Sequence, residues 1–127
     1  MPEVVLDASV LLAIFKDETY DDAVLDLLEG AVMSTVNVAE VLAKLVDLGL
    51  SVSPRVDALL GLLDRMEPLT EPQARSSAAL RGLTRHAGLS LGDRACLALA
   101  LELKADVYTA DQAWSGVDVG VSINLIR

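Results

Sequence analysis

Asp7, Glu40, Asp93 and Asp111 each stand where an apolar run meets a helical segment, positions from which a fold can gather carboxylates on one edge. Asp7 follows Val4-Val5-Leu6 and precedes Val10, Leu11, Ile14 and Phe15 at helical spacing. Asp111 follows the run Asp106-Val107-Tyr108-Thr109, so both acids leave a strand at its carboxyl end. Glu40 lies in the first turns of a helix that follows the strand Ala31–Thr35, which places it at the same edge. Asp93 lies in the first turn of a helix opening near Ser90; that helix follows another helix, so the same rule does not fix its starting edge. Clustered carboxylates without matching cations repel one another, and such an arrangement persists when a cation occupies it. Oxygen-only donors favour Mg²⁺ or Mn²⁺ over zinc, and the chain has no Cys/His spacing suited to zinc. Each acid also has a local reading. Asp7 can N-cap the first helix, Ser90-Leu91-Gly92-Asp93 resembles a capping box with Asp in the usual Glu position, Asp111 can cap the segment toward Trp114, and Glu40 can pair with Lys44 one turn on.

The elements that must position these acids alternate short apolar runs with amphipathic segments. After the first strand and helix, Thr19 to Gly30 reads as a second helix, with Asp21 and Asp22 near its start and Gly30 as its stop. The strand Ala31–Thr35 leads into a third helix, Val36 to Leu48, with Val38, Val41, Leu42, Leu45 and Leu48 as its apolar stripe. Ser53-Pro54 reads as an N-cap with proline at the first helical position, and that helix turns Val56, Leu59, Leu60 and Leu63 inward. Met66 to Leu69, interrupted by Pro68, suits a strand at a sheet edge. Thr70 to His86 reads as one helix exposing Arg75, Arg81 and Arg85, and Gly88 breaks it before Ser90 opens a helix to Lys104. Asp106–Thr109 and Val121–Ile126 are the last strands. The alternation predicts an α/β fold, a parallel sheet with helices on both faces.

Composition narrows the function classes. A chain of 127 residues is expected to form one domain, 1–127, with a sizeable core. No apolar segment approaches the roughly 20 residues that span a bilayer. Glu3 and Asp7 interrupt what a signal peptide would need, and the single Cys96 lies in an apolar helical pattern, so a reducing, cytoplasmic setting is expected. A net charge of −9 with 3% aromatics argues against passive nucleic-acid binding. An acidic protein can still act on nucleic acid when bound cations neutralise its carboxylates. The one histidine, His86, ends a helix and offers no histidine-based site.

The stretches Val4-Val5-Leu6-Asp7-Ala8-Ser9, Thr35 through Glu40, Leu89-Ser90-Leu91-Gly92-Asp93-Arg94 and Val107 through Trp114 occur in an order and spacing that resemble a PIN domain, most closely a VapC-type toxin of a toxin–antitoxin pair. The resemblance implies a three-layer α/β/α sandwich with a mainly parallel central sheet and a Mg²⁺- or Mn²⁺-dependent endoribonuclease. It also implies a homodimer and a VapB-type antitoxin that blocks the site. It assigns metal binding and catalysis to Asp7, Glu40, Asp93 and Asp111, and places the hydroxyls of Ser9 and Thr109 near them. Asn37, one turn before Glu40, either faces the site or caps its helix. Other readings are a receiver-like phospho-acceptor, a phosphatase using Asp7 as nucleophile, and a non-catalytic PIN-like interaction module. The receiver would want an Asp after the third strand, where Thr70 stands, and the phosphatase a second Asp where Ser9 stands.

Overall fold

The computed structural model describes residues 3–16 and 23–127. Five strands, β1 (Val4–Leu6), β2 (Val32–Ser34), β3 (Arg65–Glu67), β4 (Asp106–Thr109) and β5 (Ile123–Leu125), form one sheet in the order β3-β2-β1-β4-β5. All four pairings are parallel. This order differs from the 2-1-3-4-5 order of receiver-type sheets, so the receiver alternative is excluded.

The inner strands are continuous apolar runs because both of their faces are covered. Successive side chains point to opposite faces. Leu6 and Met33 enter one core with Val10, Ile14, Leu28, Val41 and Leu45, which come from α1 (Ala8–Phe15), α2 (Ala23–Leu28) and α3 (Thr35–Asp47). Val5, Val32 and Val107 enter the other core with Cys96, Leu97, Leu99 and Trp114, beneath α7 (Leu91–Leu103). The two cores on opposite faces make a three-layer α/β/α sandwich. The edge strand β3 is the polar one. Its Arg65 pairs with Glu3, Asp64 and Glu67, a charged cluster of the kind that discourages pairing with a further strand.

Most helix boundaries follow their sequence signals. Ser53 N-caps α4 (Pro54–Leu60), with proline in its first turn. Gly30, at φ 86°, takes the left-handed conformation that follows α2. The predicted helix from Thr19 keeps only Ala23–Leu28 among the described residues; Thr19, Asp21 and Asp22 lie outside them.

Three expectations need correction. Leu42 and Leu48 are 40% and 41% exposed, because the buried stripe of α3 runs through Asn37, Val38, Val41 and Leu45 and leaves those two at its margin. Of the set expected to turn inward from α4, Val56 is buried and Leu59 and Leu60 only partly so, while Leu63 is buried but lies beyond the helix, which ends at Leu60. The single helix from Thr70 to His86 is instead α5 (Glu71–Ala79), α6 (Arg81–Thr84) and a 3-10 turn, Arg85–Ala87. The break falls where the Thr84 hydroxyl donates to the Leu80 carbonyl (2.9 Å) and Gly82 weakens the turn. No helix among the described residues is long and apolar enough to cross a membrane.

Candidate metal centre

Asp7 leaves β1 in extended conformation (φ −85°, ψ 174°), directly before α1. Its side chain makes no hydrogen bond of capping geometry to that helix, and the Val10 amide in the first turn acts on it only weakly. Instead the Ser9 hydroxyl donates to Oδ1 (2.6 Å) and the Thr109 hydroxyl donates to Oδ2 (2.7 Å). Both hydroxyls are themselves fixed from behind. The Ala110 amide donates to Ser9 Oγ (2.8 Å), and the Asp111 amide donates to Thr109 Oγ1 (3.1 Å). Each hydroxyl therefore has one lone pair engaged by a backbone amide and its proton committed to Asp7. The carboxyl is only 3% exposed, and burial pushes its pKa up to about 6. The Ser9 and Thr109 hydroxyls oppose that shift, the charge of Asp93 adds to it, and the Val10 amide opposes it least.

Glu40 sits in α3, whose N-cap is Ser34, accepting from the Val36 amide (3.2 Å). Asn37 is thus released from capping. It is fully buried, and its Nδ2 donates to Glu40 Oε1 (2.8 Å) and to the Gly92 carbonyl (3.0 Å), joining α3 to the start of α7. Its Oδ1 has no partner. Glu40 is exposed as a residue, but its carboxylate lies so close to Gly92 that a Cβ there would overlap it. Partial burial raises the Glu40 carboxyl, Asn37 counteracts this, and Asp93 raises it further. No ion pair joins Glu40 to Lys44 among the described residues.

Asp93 closes a reciprocal capping box: Asp93 N–H donates to Ser90 Oγ (3.2 Å), and Ser90 N–H donates to Asp93 Oδ2 (2.9 Å). The cap uses one of its two oxygens. The charge of Asp93 still reaches Asp7 and Glu40, and all three act on the buried Cys96 thiol, which burial and these charges push up. Asp111 is exposed, and its Oδ1 accepts from the Ala113 amide (2.9 Å) to cap the 3-10 turn Gln112–Gly116. Its place is next to the Asp7 network, through its own amide on Thr109, and the cap takes one oxygen of its carboxylate.

The structure therefore brings Asp7, Ser9 and Thr109 into one hydrogen-bonded unit and Glu40, Asn37 and Gly92 into a second. Asp93 lies within electrostatic reach of both, and Asp111 stands at the rim. Among the described residues no three carboxylates stand close enough to ligate one ion. The donor chemistry nevertheless fits a hard divalent cation. A buried carboxylate with a raised pKa, a second raised carboxylate, an unpartnered buried amide oxygen and no ion pair to Asp7, Glu40 or Asp93 among the described residues leave negative charge uncompensated. Gly92 belongs to the second unit although nothing in its residue type marks it for a site. Its only signal was a small residue directly before Asp93. A cavity of about 380 Å³ lined by Val24, Leu27, Tyr108 and Ile126 contains none of these acids.

The fold is similar to that of a toxin–antitoxin complex from Klebsiella pneumoniae, with TM-score 0.69 and 20% identity, covering 94% of this chain and 95% of that one. It is also similar to DNA-bound VapBC from Salmonella typhimurium (TM-score 0.74, 14% identity, 100% of each chain). A third similar structure is VapC20 of Mycobacterium tuberculosis, described as a sarcin–ricin-loop-cleaving toxin (TM-score 0.64, 17% identity, 94% of this chain and 99% of that one). No curated protein matches the chain. A family model described as PIN domain matches residues 4–120, a span that takes in Asp7, Glu40, Asp93 and Asp111 and every strand but the last, and the chain therefore belongs to the PIN domain family.

Proposed function

We propose that this chain is a single-domain, metal-dependent endoribonuclease of the cytoplasm and the toxin of a type II toxin–antitoxin pair. The observation that carries the reading is the Asp7 carboxylate. It is buried, raised to about 6, gripped by two oriented hydroxyls, and set at the carboxyl edge of the sheet within reach of Asp93. Membership of the PIN family and the likeness to toxin–antitoxin structures support it.

Asp7, Glu40, Asp93 and Asp111 would hold Mg²⁺ or Mn²⁺ by closing together on the ion, Asp93 and Asp111 through the oxygens that their caps leave free, because as they stand no three carboxylates among the described residues ligate one ion. When bound, such an ion supplies positive charge to the acids and polarises a phosphoryl oxygen. The chain's own residues do the rest. Ser9 and Thr109 hold both oxygens of Asp7 in a single orientation. Asn37 holds Glu40 at Oε1. Glu40, with its proton affinity raised, is suited to orient the attacking water and take its proton. No side chain need become a nucleophile. The same acids form a receptor for an arginine of an antitoxin tail, because guanidinium matches carboxylate bidentately. A homodimer is expected, as for toxins of this type.

The test is cleavage of RNA by purified protein in Mn²⁺, comparing Glu40→Gln with Lys44→Ala. Glu40→Gln should lower the rate by at least about 100-fold and Lys44→Ala should change little, both remaining folded by circular dichroism. A second reading, a PIN-like binding module without catalysis, draws on the capping of Asp93 and Asp111. Wild-type protein that binds Mn²⁺ and RNA yet never cuts it would establish that reading instead.

A further inference from the structure

An acidic chain that cleaves RNA must still hold the RNA backbone, and the described residues offer few cations for it. Arg65 is taken by three carboxylates, Arg75 by Glu71, and Arg94 is buried against the Ser77 carbonyl. Arg55 donates to the Ile14 carbonyl and lies over Phe15, and Arg127 is also engaged. Arg81 and Arg85 are the two arginines to which the described residues give no hydrogen bond, ion pair or ring contact, and both are exposed.

One turn apart on α6 and the following 3-10 turn, they line a concavity of about 260 Å³ together with Gly88 and Leu89. Its position is informative. Gly88, at φ 66°, reverses the chain so that Leu89 and Ser90 lead directly into the turn carrying Asp93. The 3-10 turn Arg85–Ala87 also packs against Gln112–Gly116, the turn that Asp111 caps. The concavity therefore adjoins the segment that leads into Asp93, and the turn carrying Arg85 packs against the one that Asp111 caps. Neither arginine forms an ion pair with those acids, so neither charge is consumed in neutralising the site.

We propose that Arg81 and Arg85 form a phosphate-binding subsite that seats the RNA strand alongside the acidic centre. This rests on the nuclease reading above for its choice of ligand, and on the free guanidinium pair for its location. Two planar, permanently charged guanidiniums match successive phosphodiesters and read no base edge, so the subsite contributes affinity and register but no sequence preference.

The experiment is fluorescence anisotropy with a labelled single-stranded RNA in EDTA, which blocks cleavage, across 50–200 mM NaCl. It compares the full-length wild type with Arg81→Gln/Arg85→Gln and with a Lys44→Gln/Lys104→Gln control. The arginine pair variant should bind about tenfold more weakly at low salt, and its log–log salt slope should be shallower by about 1.4, at about 0.7 per phosphate contact on a single strand. The lysine pair variant should match wild type, and all three should give the same circular dichroism spectrum. Wild-type RNA affinity in the arginine variant, or no measurable RNA binding by wild type, overturns the subsite. So does polyglutamate binding to wild type more tightly than RNA, which would assign the concavity to an acidic protein segment. Absence of cleavage in Mn²⁺ with the binding difference intact overturns the nuclease reading alone.

Discussion

Asp7 is the residue on which burial and charge conflict most. Its carboxyl pKa is about 6 in the folded chain against 3.8 for an unperturbed aspartate. Between those values the native state binds more protons than the unfolded state, so stability falls as pH rises through that window, by roughly 3 kcal/mol in total. In metal-free protein, urea unfolding of wild type relative to Asp7→Asn should lose that difference between pH 4 and pH 7. Parallel stability curves for the two proteins would show that the carboxyl is not desolvated. Gly92 makes a second prediction at this scale. Gly92 is the second residue of α7, where alanine gains less than the roughly 1 kcal/mol it has over glycine in a helix interior, so Gly92→Ala should remain folded with a melting temperature close to that of wild type. Its Cβ nevertheless displaces the Glu40 carboxylate, so RNA cleavage should fall about 10- to 100-fold. Unaltered cleavage in Gly92→Ala would mean that Glu40 need not occupy the place it has here.

At the scale of elements, the start of α7 has two tasks in one turn. Ser90 and Asp93 satisfy the helix's first amides, and Asp93 also faces the site electrostatically. The two tasks separate by mutation. Ser90→Ala removes the cap and should cost about 1 kcal/mol. Asp93→Asn keeps an oxygen for the Ser90 amide and removes a repulsive charge, so thermal unfolding without metal should be no easier than in wild type while RNA cleavage is lost. An Asp93→Asn protein that unfolds would mark capping as the dominant role. The capping signals at Ser53-Pro54 and Ser90 were legible in the chain because they depend only on neighbours a few residues away. The break between α5 and α6 was less so, because propensity alone does not reveal that Thr84 turns its hydroxyl back onto Leu80.

For the whole molecule, the site brings together residues separated by about the full length of the chain, so anything that compensates its charge stabilises the fold as a whole. Mg²⁺ or Mn²⁺ at 100 times its Kd should add about 2.7 kcal/mol, read as a higher melting temperature that EDTA reverses and Asp7→Asn abolishes. A melting temperature unmoved by millimolar metal would count heavily against the centre. The parallel sheet makes this coupling direct. Asp7 follows β1 and Thr109 ends its neighbour β4, so the hydrogen bond between them crosses the middle of the sheet.

The sequence by itself determined the alternation of strands and helices, the placing of Asp7, Glu40 and Asp111 after strands or in the helices that follow them, and the caps at Ser53 and Ser90. These depend on periodicity and on bonds between near neighbours, which a linear reading contains. Only the tertiary structure decided what each acid does locally. By its sequence context alone Asp7 is as apt for capping as for binding. Pairing of β1 with β4 carries Thr109 to its side chain, with Ser9 beside it, and the two hydroxyls rather than the helix amides hold its oxygens. Asp93 and Asp111 do cap, each through one oxygen. Glu40 leaves Lys44 for Asn37 because α7 presents a glycine and a carbonyl to α3 at that point. Such choices turn on contacts between residues as many as 102 positions apart, and no local pattern encodes them.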